Sequence, residues 1–254
     1  MISSTRNERV QGVRRLHRRS ARMAERRFVV EGPQAVREAL DTLVELYTID
    51  LADPLAVQAA ERGVEVVLVD AKVLAALGET VHPQGLVGVA PLLEGVLPAV
   101  PRLVAVLHDV NDPGNAGTVI RTADAAGADG VALTGDSVDA HNGKCVRATA
   151  GSLWHLPVVS TTLEDVLANR AGAQILATTG GGEDDLDDLL DQGVLTGPTF
   201  WLFGSEAHGL PAAVLDAADR RVRIPIHGRA ESLNLATAAS VCLYASARAQ
   251  RVLQ

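Results

Sequence analysis

Phe203-Gly204-Ser205-Glu206-Ala207-His208-Gly209-Leu210 is the stretch of this chain that decides its fold. It continues an apolar run, residues 200–203, that is typical of a buried strand, and it passes into glycine, where the missing Cβ lets main chain approach a ligand closely. Ile224-Pro225-Ile226 and Ser232-Leu233-Asn234-Leu235-Ala236 follow, the latter at the opening of a long helix, whose first amides are free to bind a ligand. Three such turns predict a pocket lined by backbone, of the kind that holds a nucleoside.

Around this stretch, the second half of the chain alternates apolar strands with helices. Strands are predicted at 103–107, 130–133, 174–178, 199–203 and 221–226, and helices at 115–126, 141–153, 162–170, 183–192, 211–217 and 232–253. Such alternation requires a parallel sheet with helices on both faces, and ligands of these sheets bind beyond the carboxyl ends of the strands. The acidic patch 183–188 fits a solvated amphipathic helix better than a cation site.

The first half predicts a smaller α/β domain. After a basic helix, strands are expected at 27–31, 44–49, 64–69 and 85–90, and helices at 33–43, 54–62 and 71–77. A proline-containing stretch without helical or alternating pattern follows. We therefore expect a first domain at 1–92, a linker at 93–101 and a second domain at 102–254.

Charge is distributed unevenly along the chain. Residues 1–27 contain nine arginines against two glutamates, a net charge of +7, whereas the whole chain carries −8 and the remainder therefore −15. A basic segment on an acidic protein predicts an anionic partner at that end, because phosphate contacts are made mostly by Arg and Lys. An organelle presequence or a solvated helix face would also be Arg-rich. The run leads directly into the strand at 27–31, which favours a built-in role.

Several classes of protein are disfavoured by composition and motifs. Two cysteines, Cys145 and Cys242, and no apolar export segment indicate a cytoplasmic protein without a disulfide framework. No run of residues is long and apolar enough to predict a membrane span. The chain has no Gly-x-Gly-x-x-Gly or P-loop motif, no Gly-x-Ser-x-Gly elbow and no Cys/His cluster with metal spacing, so no metal is expected.

The polar residues of the glycine-bearing turns are the candidates for chemistry. They are Asn115, Arg121, Glu206, Ser232 and Asn234. Arg121 lies in a nearly uncharged segment, and a buried arginine there would need a phosphate or a carboxylate partner, with Asp109, Asp124 and Glu206 as structural alternatives. Asn115 and Ser232 are also good helix N-caps. Glu206 could accept bonds from backbone amides or from Arg121.

Taken together, these residues match three motifs in order and spacing. The first runs from Asn111 through Gly114, Asn115 and Gly117 to Arg121-Thr122-Ala123-Asp124-Ala125, the second is Gly204-x-Glu206-x-x-Gly209-Leu210, and the third is Ile224-Pro225-Ile226 through Ser232-Leu233-Asn234. The set resembles the SpoU/TrmH class of SPOUT RNA methyltransferases over about residues 102–250, and the resemblance extends more weakly into the first domain.

This resemblance implies a fold, a cofactor and an activity. The expected fold is a small α/β RNA-binding domain followed by a parallel-sheet α/β SPOUT domain with a deep trefoil knot, against the general rule that chains are unknotted. S-adenosylmethionine would bind at Thr178, Thr179, Gly180, Gly204, Ile224 and Leu233. Asn115, Arg121, Glu206, Ser232 and Asn234 would then act in methylating a ribose 2′-hydroxyl. A guanidinium is effectively always protonated, so Arg121 would act electrostatically rather than as a base, with the proton passing to Glu206 or water.

The resemblance also implies partners. Structured RNA, 23S rRNA above transfer RNA, would contact the basic helix through Arg14, Arg15, Arg18, Arg19 and Arg22. The class works as a homodimer, and the stripe formed by Leu235, Ala239, Leu243 and Ala247 fits a dimer face, although a core-facing helix would show the same stripe. A noncatalytic RNA-binding module and a SPOUT enzyme that methylates a base nitrogen are the alternatives.

Overall fold

The chain forms two compact units in the computed structural model, which describes residues 1–80 and 83–251. The first unit contains Met1–Leu93 together with Asp139–Trp154, and the second contains Glu94–Val138 and the chain from His155 onward. The sequence places residues 139–154 in the second domain, whereas in the structure they pack in the first unit. A helical pattern reports local structure but does not tell which core a helix covers, so this assignment could not be made from periodicity.

The first unit is built on a mixed four-stranded sheet. Its elements up to residue 91 are α1 (Glu8–Arg15), α2 (Arg19–Glu25), β1 (Arg27–Glu31), α3 (Pro33–Ala39), β2 (Glu45–Thr48), α4 (Pro54–Glu61), β3 (Glu65–Leu68), α5 (Ala71–Leu77) and β4 (Leu86–Pro91). The strand order is β1-β4-β2-β3, in which β4 is antiparallel to both neighbours and β3 is parallel to β2. The predicted α/β domain is present.

The basic segment forms two helices rather than the single predicted helix. The break falls at residues 16–18, between α1 and α2. The carbonyl groups of Leu16 and His17, which a continuous helix would bond internally, accept instead from the Arg22 guanidinium at 3.0 and 2.9 Å. Val10 and Val13 of α1 are buried against α5 and Tyr47, so the first helix is part of the core.

The second unit contains an all-parallel sheet of seven strands. The remaining elements of the chain are β5 (Leu103–His108), α6 (Pro113–Ala126), β6 (Gly130–Thr134), α7 (Gly143–Thr149, in the first unit), β7 (Val158–Ser160), α8 (Leu163–Ala168), β8 (Gln174–Thr178), β9 (Asp184–Asp185), α9 (Leu186–Asp191), β10 (Thr199–Phe203), α10 (Ala212–Asp216), β11 (Arg220–Arg223) and α11 (Leu235–Arg251). The order is β7-β6-β5-β10-β8-β11-β9, and each pairing is parallel. The predicted fold class is confirmed.

Two short strands were not expected from the sequence. β7 has three residues and β9 only two, and both lie at the edges of the sheet. Asp184 and Asp185 pair with β11 instead of entering the predicted helix, which begins at Leu186. Edge strands of this length give too little alternating pattern to be read from sequence. The predicted end of the last helix, at Leu253, lies outside the described residues.

β10 holds the centre of the second unit by packing on both of its faces. Phe200 and Leu202 point into the apolar cluster that includes Val166 and Val214. The indole of Trp201, on the opposite face, donates a 2.9 Å hydrogen bond to the Ser246 hydroxyl of α11. Both faces are covered, which explains why this strand reads as a continuous apolar run.

The stripe on α11 is also part of this core. Leu235, Ala239, Leu243 and Ala247 are at most 7% exposed within their own chain, so the alternative of a core-facing stripe is correct. The large apolar side chains that α11 leaves exposed are Val241 and Tyr244.

The segment 139–154 is fixed in the first unit by polar contacts. The Arg147 Nη1 donates to Oε2 of the buried Glu31 at 2.9 Å, and the Trp154 indole donates to the Thr42 hydroxyl at 3.1 Å. Glu31 also accepts bonds from the amides of Glu79 and Thr80 and from the Thr80 hydroxyl. Burial alone would raise the pKa of Glu31, but these donors outweigh it and hold the pKa below its ordinary value.

We predict that Glu31→Gln lowers the free energy of unfolding by about 1–3 kcal/mol at pH 7, because it removes the charge that these donors bind. A carboxyl with a lowered folded-state pKa stabilises the fold above its unfolded pKa of about 4.3, and this contribution is lost as the pH falls through the folded value. Urea unfolding between pH 7 and pH 3 should show the wild type and variant converging. An equal difference at both pH values would contradict this account of Glu31.

Candidate active site

The candidate residues of the second unit lie where four neighbouring strands end. β5, β10, β8 and β11 are consecutive in the sheet and parallel, so their carboxyl ends meet at one edge, where α/β proteins bind ligands. The turns that leave this edge are residues 109–112, 204–210, 179–183 and 224–234. The parallel sheet therefore brings together three motifs that lie far apart in the sequence.

Asn115 joins these motifs through its side chain. Its Nδ2 donates to the Glu206 carboxylate, and its Oδ1 accepts from Asn234 Nδ2 at 3.2 Å. Asn115 lies in the first turn of α6, where its amide donates to Oδ1 of Asp112 at 2.8 Å. The N-cap is therefore Asp112 and not Asn115, and the Asn115 carboxamide is left to bridge the second and third motifs.

Asn234 determines the direction of this bridge. Its Oδ1 accepts from the amides of Ala236 and Thr237, at 2.9 and 3.3 Å, and so caps α11. With the oxygen fixed on these amides, Nδ2 must donate to Asn115 Oδ1, and Asn115 Nδ2 must then face the carboxylate of Glu206. Ser232 lies two residues before the cap and is exposed, so the alternative of Ser232 as the helix cap does not hold.

The loop after β10 folds back on itself. Gly209 donates its amide to the Ser205 carbonyl at 2.8 Å and has a φ of +66°, which favours glycine. A Cβ on Gly204 would lie 2.5 Å from the Leu210 nitrogen and closer still to the backbone of Gly209. Gly204 is therefore needed for the close approach of two backbone segments. This turn presents Glu206 at its exposed side.

Arg121 differs from its predicted environment. It lies on the exposed side of α6, near Thr118 and Ala125, while the buried side is formed by Val119, Ile120 and Ala123. Within the described part of the chain, its guanidinium makes no hydrogen bond or ion pair. The expectation that Arg121 is buried was wrong, because the apolar residues beside it in sequence point to the other side of the helix. Its charge is free to meet an anionic substrate.

The predicted cofactor residues lie along the same edge. Thr178 ends β8 and donates its hydroxyl to the Leu202 carbonyl at 3.0 Å, and the Thr179 amide donates to the Val222 carbonyl at 3.0 Å. Gly180, the next residue, is exposed. Gly182 is buried, and a Cβ there would lie 2.6 Å from the backbone of β11. The turn after β8 is thus packed tightly against the next strand.

Ile224 and Leu233 line an open cavity of about 410 Å³ with Pro225, Ile226, Arg229 and Val241 among its walls. Gly204 and Thr178–Gly180 are not among its lining residues, so the cavity represents only part of the predicted cofactor site. Backbone turns, a space beside them and glycines that no larger residue could replace fit a nucleoside-containing cofactor.

The predicted RNA-contact arginines lie in the first unit. Arg14, Arg15, Arg18 and Arg19 are exposed on α1 and α2. Arg22 departs from the prediction, since it is 2% exposed and its guanidinium bonds to the Asp139 carboxylate at 2.8 Å and to two carbonyls. A charge pattern does not tell which arginine of a basic helix is turned inward. Four of the five predicted arginines remain accessible to phosphate.

The fold and the residues at the sheet edge define a class of protein: an α/β protein whose parallel strands end in glycine-bearing turns joined by the Asn115 side chain. Residues 102–244 match the SpoU rRNA Methylase family and residues 7–88 match the MRM3-like substrate binding domain. The chain belongs to the SpoU rRNA Methylase family. The predicted class, an S-adenosylmethionine-dependent RNA 2′-O-methyltransferase, is confirmed.

Relatives match over nearly the whole chain. The 23S rRNA (guanosine(2553)-2′-O)-methyltransferase RlmP of Bacillus subtilis is 34% identical over 96% of this chain and 97% of its own. The crystal structure of an AdoMet-bound rRNA methyltransferase from Sinorhizobium meliloti is 33% identical, with a TM-score of 0.85 over 97% of each chain. The SpoU methyltransferase AviRb from Streptomyces viridochromogenes, in complex with AdoMet, is 30% identical, with a TM-score of 0.86 over 97% of this chain and 99% of that one.

We predict that Gly204→Ala lowers the affinity for S-adenosylmethionine by about tenfold or more, because its Cβ forces the Gly209–Leu210 backbone away and each 1.4 kcal/mol of lost binding is tenfold. Isothermal titration calorimetry of both proteins measures the effect, with circular dichroism to confirm folding. Gly193→Ala is the control, because it adds the same methyl group at a glycine outside the site where a Cβ would meet no other atom. The φ of +72° at Gly193 means that this substitution costs some stability. Unchanged affinity for Gly204→Ala would show that this turn does not form the cofactor site.

Proposed function

We propose that this chain transfers a methyl group from S-adenosylmethionine to a ribose 2′-hydroxyl of 23S rRNA, with catalysis at the edge where Asn115, Glu206 and Asn234 meet. The observation that carries the proposal is the Asn115 bridge, because it holds the three motifs at one point of the sheet edge. Residues 1–92 would form the substrate-binding domain, 93–101 the linker and 102–254 the catalytic domain, except that residues 139–154 pack in the first unit. The relatives RlmP of Bacillus subtilis and RlmB of Bordetella pertussis are both named as 2′-O-methyltransferases of 23S rRNA.

The cofactor would be held mainly by backbone. Thr178, Thr179, Gly180, Gly204, Ile224 and Leu233 supply the turns around it. When bound, S-adenosylmethionine would supply an electrophilic methyl group on a sulfonium, and transfer of that group to the ribose oxygen would break the carbon–sulfur bond and leave a neutral thioether. The protein must then align the hydroxyl and stabilise the charge that develops on its oxygen.

Arg121 supplies the positive charge. Its guanidinium is effectively always protonated, so it cannot accept the hydroxyl proton, but it can orient the ribose or the adjacent phosphate and stabilise developing alkoxide. Its exposure and lack of a partner among the described residues leave it available for this role. Glu206 or water takes the proton. The Asn115 bond holds the Glu206 carboxylate, and Ser232 lies in the exposed turn before Asn234, where it can contact the substrate.

We predict that Arg121→Ala retains affinity for S-adenosylmethionine while methyl transfer falls by about 100-fold or more, since loss of one such donor costs on the order of 3 kcal/mol in barrier. Single-turnover transfer of labelled methyl groups to 23S rRNA, with 2′-O-methyl mapping of the product, measures the rate and the site. Arg102→Ala, an exposed arginine directly before β5 and away from the carboxyl ends of the strands, is the matched control. A rate within twofold of the wild type would remove Arg121 from the mechanism.

The exposed arginines of the first unit supply the RNA contact. Arg14, Arg15, Arg18 and Arg19 lie on the two helices at the start of a chain that is otherwise acidic. Aromatic residues are scarce, and the two of the first 92 residues, Phe28 and Tyr47, are buried. Base stacking is therefore excluded for these two rings, and backbone charge with RNA shape accounts for recognition.

We predict that the affinity for RNA falls steeply as the salt concentration rises. Each phosphate contact contributes about one to the slope of log K against log[salt], so replacing both Arg18 and Arg19 by Gln should reduce the slope by about two. Filter binding from 50 to 300 mM KCl measures both slopes. The control is replacement of the half-buried Arg170 and the exposed Arg220 of the second unit, which pair with Asp219 and Asp184. A slope that does not respond to Arg18 and Arg19 would place the RNA elsewhere.

The remaining features of the proposal concern assembly and setting. The chain acts as a homodimer, and the exposed Val241 and Tyr244 of α11 replace the buried stripe as the candidate dimer face. Tyr244 and Arg248 border a shallow cavity of about 350 Å³ with Ala126 of α6.

The turns at 204–210 and 224–234 form the trefoil knot of the class. Cys145 and Cys242 are both buried and form no disulfide, which fits the reducing cytoplasm. No helix among the described residues has the length and apolar content to cross a membrane.

A further inference from the structure

The chain leaves the first unit at three points, and all three are fastened to one cluster of side chains. These points are the bonds after Leu93, before Asp139 and after Trp154. The cluster, which we call the junction cluster, consists of Arg22, Phe28, Asp139 and His141. It lies within the first unit, and no step of the proposed chemistry uses it.

The cluster begins with a buried ion pair. Arg22 donates through Nε and Nη2 to the Asp139 Oδ2, at 2.8 and 2.7 Å. Its Nη1 holds the carbonyl groups of Leu16 and His17, between α1 and α2. Burial would raise the pKa of Asp139, but bonds from His141 and Arg22 hold it well below its usual range. The Asp139 carboxyl is therefore held in its ionised form beside Arg22.

His141 links this pair to the other end of the connection. Its Nδ1 is 3.3 Å from Asp139 Oδ1, and its Nε2 accepts the amide hydrogen of Leu93 at 3.1 Å. An Nε2 that accepts must carry the lone pair, so the proton of the neutral imidazole is on Nδ1 and faces the carboxylate. Leu93 and Asp139, two of the three exit points, are thus bonded to the same ring.

Phe28 brings in the third exit point. Its ring contacts the His141 ring edge to face, with centroids 4.7 Å apart, and stacks on Trp154 at 6.0 Å. Phe28 is fully buried and directly follows the basic arm, residues 1–27. The cluster therefore lies at the base of the arm that we propose to bind RNA, and Arg22 is one turn of α2 away from the exposed Arg18 and Arg19.

Beyond Asp139, the chain leads to the first catalytic motif within a few residues. In the second unit, Ser137 Oγ accepts the Val110 amide at 3.1 Å, and the Val138 amide donates to the Val110 carbonyl at 2.9 Å. Val110 is fully buried and directly precedes Asn111 and Asp112, which lead into α6 and Asn115. Val138, the neighbour of Asp139 in the chain, is therefore bonded to the segment that leads to Asn115.

We infer that the junction cluster is a positioning device that couples RNA bound on the basic arm to the arrangement of the first catalytic motif. Arg22, Asp139 and His141 are positioning residues, since none of them belongs to the cofactor turns. This inference rests on the proposed function for its rate measurement. Its physical basis is that one network of contacts joins the arm, the start of the linker and Asp139, whose neighbours Ser137 and Val138 bond to Val110, so these segments move together.

Two substitutions of His141 separate positioning from mere packing. His141→Gln places an amide oxygen where Nε2 lies and keeps the bond from Leu93, whereas His141→Asn reaches only Asp139 and loses Leu93. Both retain the Arg22–Asp139 pair. Asp139→Asn removes the charge of the pair, and Glu31→Gln is its matched control, a buried carboxylate of the same unit that contacts neither the arm nor an exit point.

The experiment uses the full chain with an unmodified 23S rRNA transcript and saturating S-adenosylmethionine. We expect Asp139→Asn and His141→Asn to lose about tenfold in single-turnover rate, with both affinities within twofold of the wild type, while His141→Gln and Glu31→Gln stay near wild type. Replacing Arg18 and Arg19 by Gln should lower the rate at saturating RNA in the wild type and have no further effect in Asp139→Asn. The inference would be overturned by equal rates for the two His141 variants or by a loss in Glu31→Gln as large as in Asp139→Asn. It would also be overturned if the Arg18 and Arg19 replacements lowered the rate of Asp139→Asn by the same factor as that of the wild type.

Hydrogen exchange gives a readout that does not depend on activity. We expect RNA to slow exchange in the peptide covering residues 107–118 in the wild type and in His141→Gln, but not in His141→Asn or Asp139→Asn. Slowing in all four proteins, or in none, would contradict the coupling. A wild type that shows this pattern but transfers no methyl group would refute the proposed function and leave the coupling supported. If Asp139→Asn does not fold, the two His141 variants decide the question.

Discussion

The arrangement of the proposed catalytic residues depends on the carboxamide of Asn115. A single planar group donates to Glu206 and accepts from Asn234, and so joins motifs that lie 91 and 119 residues away in the sequence. The direction of these bonds is not arbitrary, because the backbone amides at the start of α11 fix the Asn234 oxygen. A helix terminus thereby determines, through two amide groups, which atom faces the carboxylate. An aspartate or leucine at position 115 could not make both contacts.

This bridge is possible because the sheet is parallel. Strands β5, β10, β8 and β11 end at one edge, so turns from distant parts of the sequence become neighbours there. The glycines of these turns allow close packing of backbone on backbone, Gly204 against Gly209 and Leu210, and Gly182 against β11. The cofactor pocket of a methyltransferase can then be formed by main chain. The exposed side chains of Arg121 and Glu206 are the ones that we propose to act on the substrate.

The sequence predicted best those strands that are buried on both faces of the sheet. β8 and β10 are continuous apolar runs and were expected with their observed bounds, whereas the short edge strands β7 and β9 were missed because two or three residues carry no period. The motif residues Asn115, Glu206 and Asn234 were expected to act together, and the structure brings them into contact. Asp112 was overlooked as the cap of α6, although an acidic residue directly before Pro113 is a recognisable helix-start signal.

Predictions failed where the direction of a side chain depended on tertiary packing. Arg121 and Arg22 show the two opposite errors: the first was expected to be buried and is exposed, and the second was expected to bind RNA and is buried. In both cases neighbouring residues in the sequence suggested an environment that the turn of the helix reversed. The placement of residues 139–154 in the first unit has the same cause. Composition and hydrophobic periodicity predict a helix or a strand, but contacts between residues that are distant in sequence determine what each face of it packs against.

The central claim is that Glu206 and Asn234 are energetically coupled through Asn115. A double-mutant cycle of Glu206→Gln and Asn234→Ala, measured by single-turnover methyl transfer in the wild-type and Asn115→Ala backgrounds, tests it most directly. The account predicts a coupling energy of about 0.5–3 kcal/mol in the wild type that disappears when Asn115 is removed. Additive effects in the wild type, or the same coupling in both backgrounds, would contradict it.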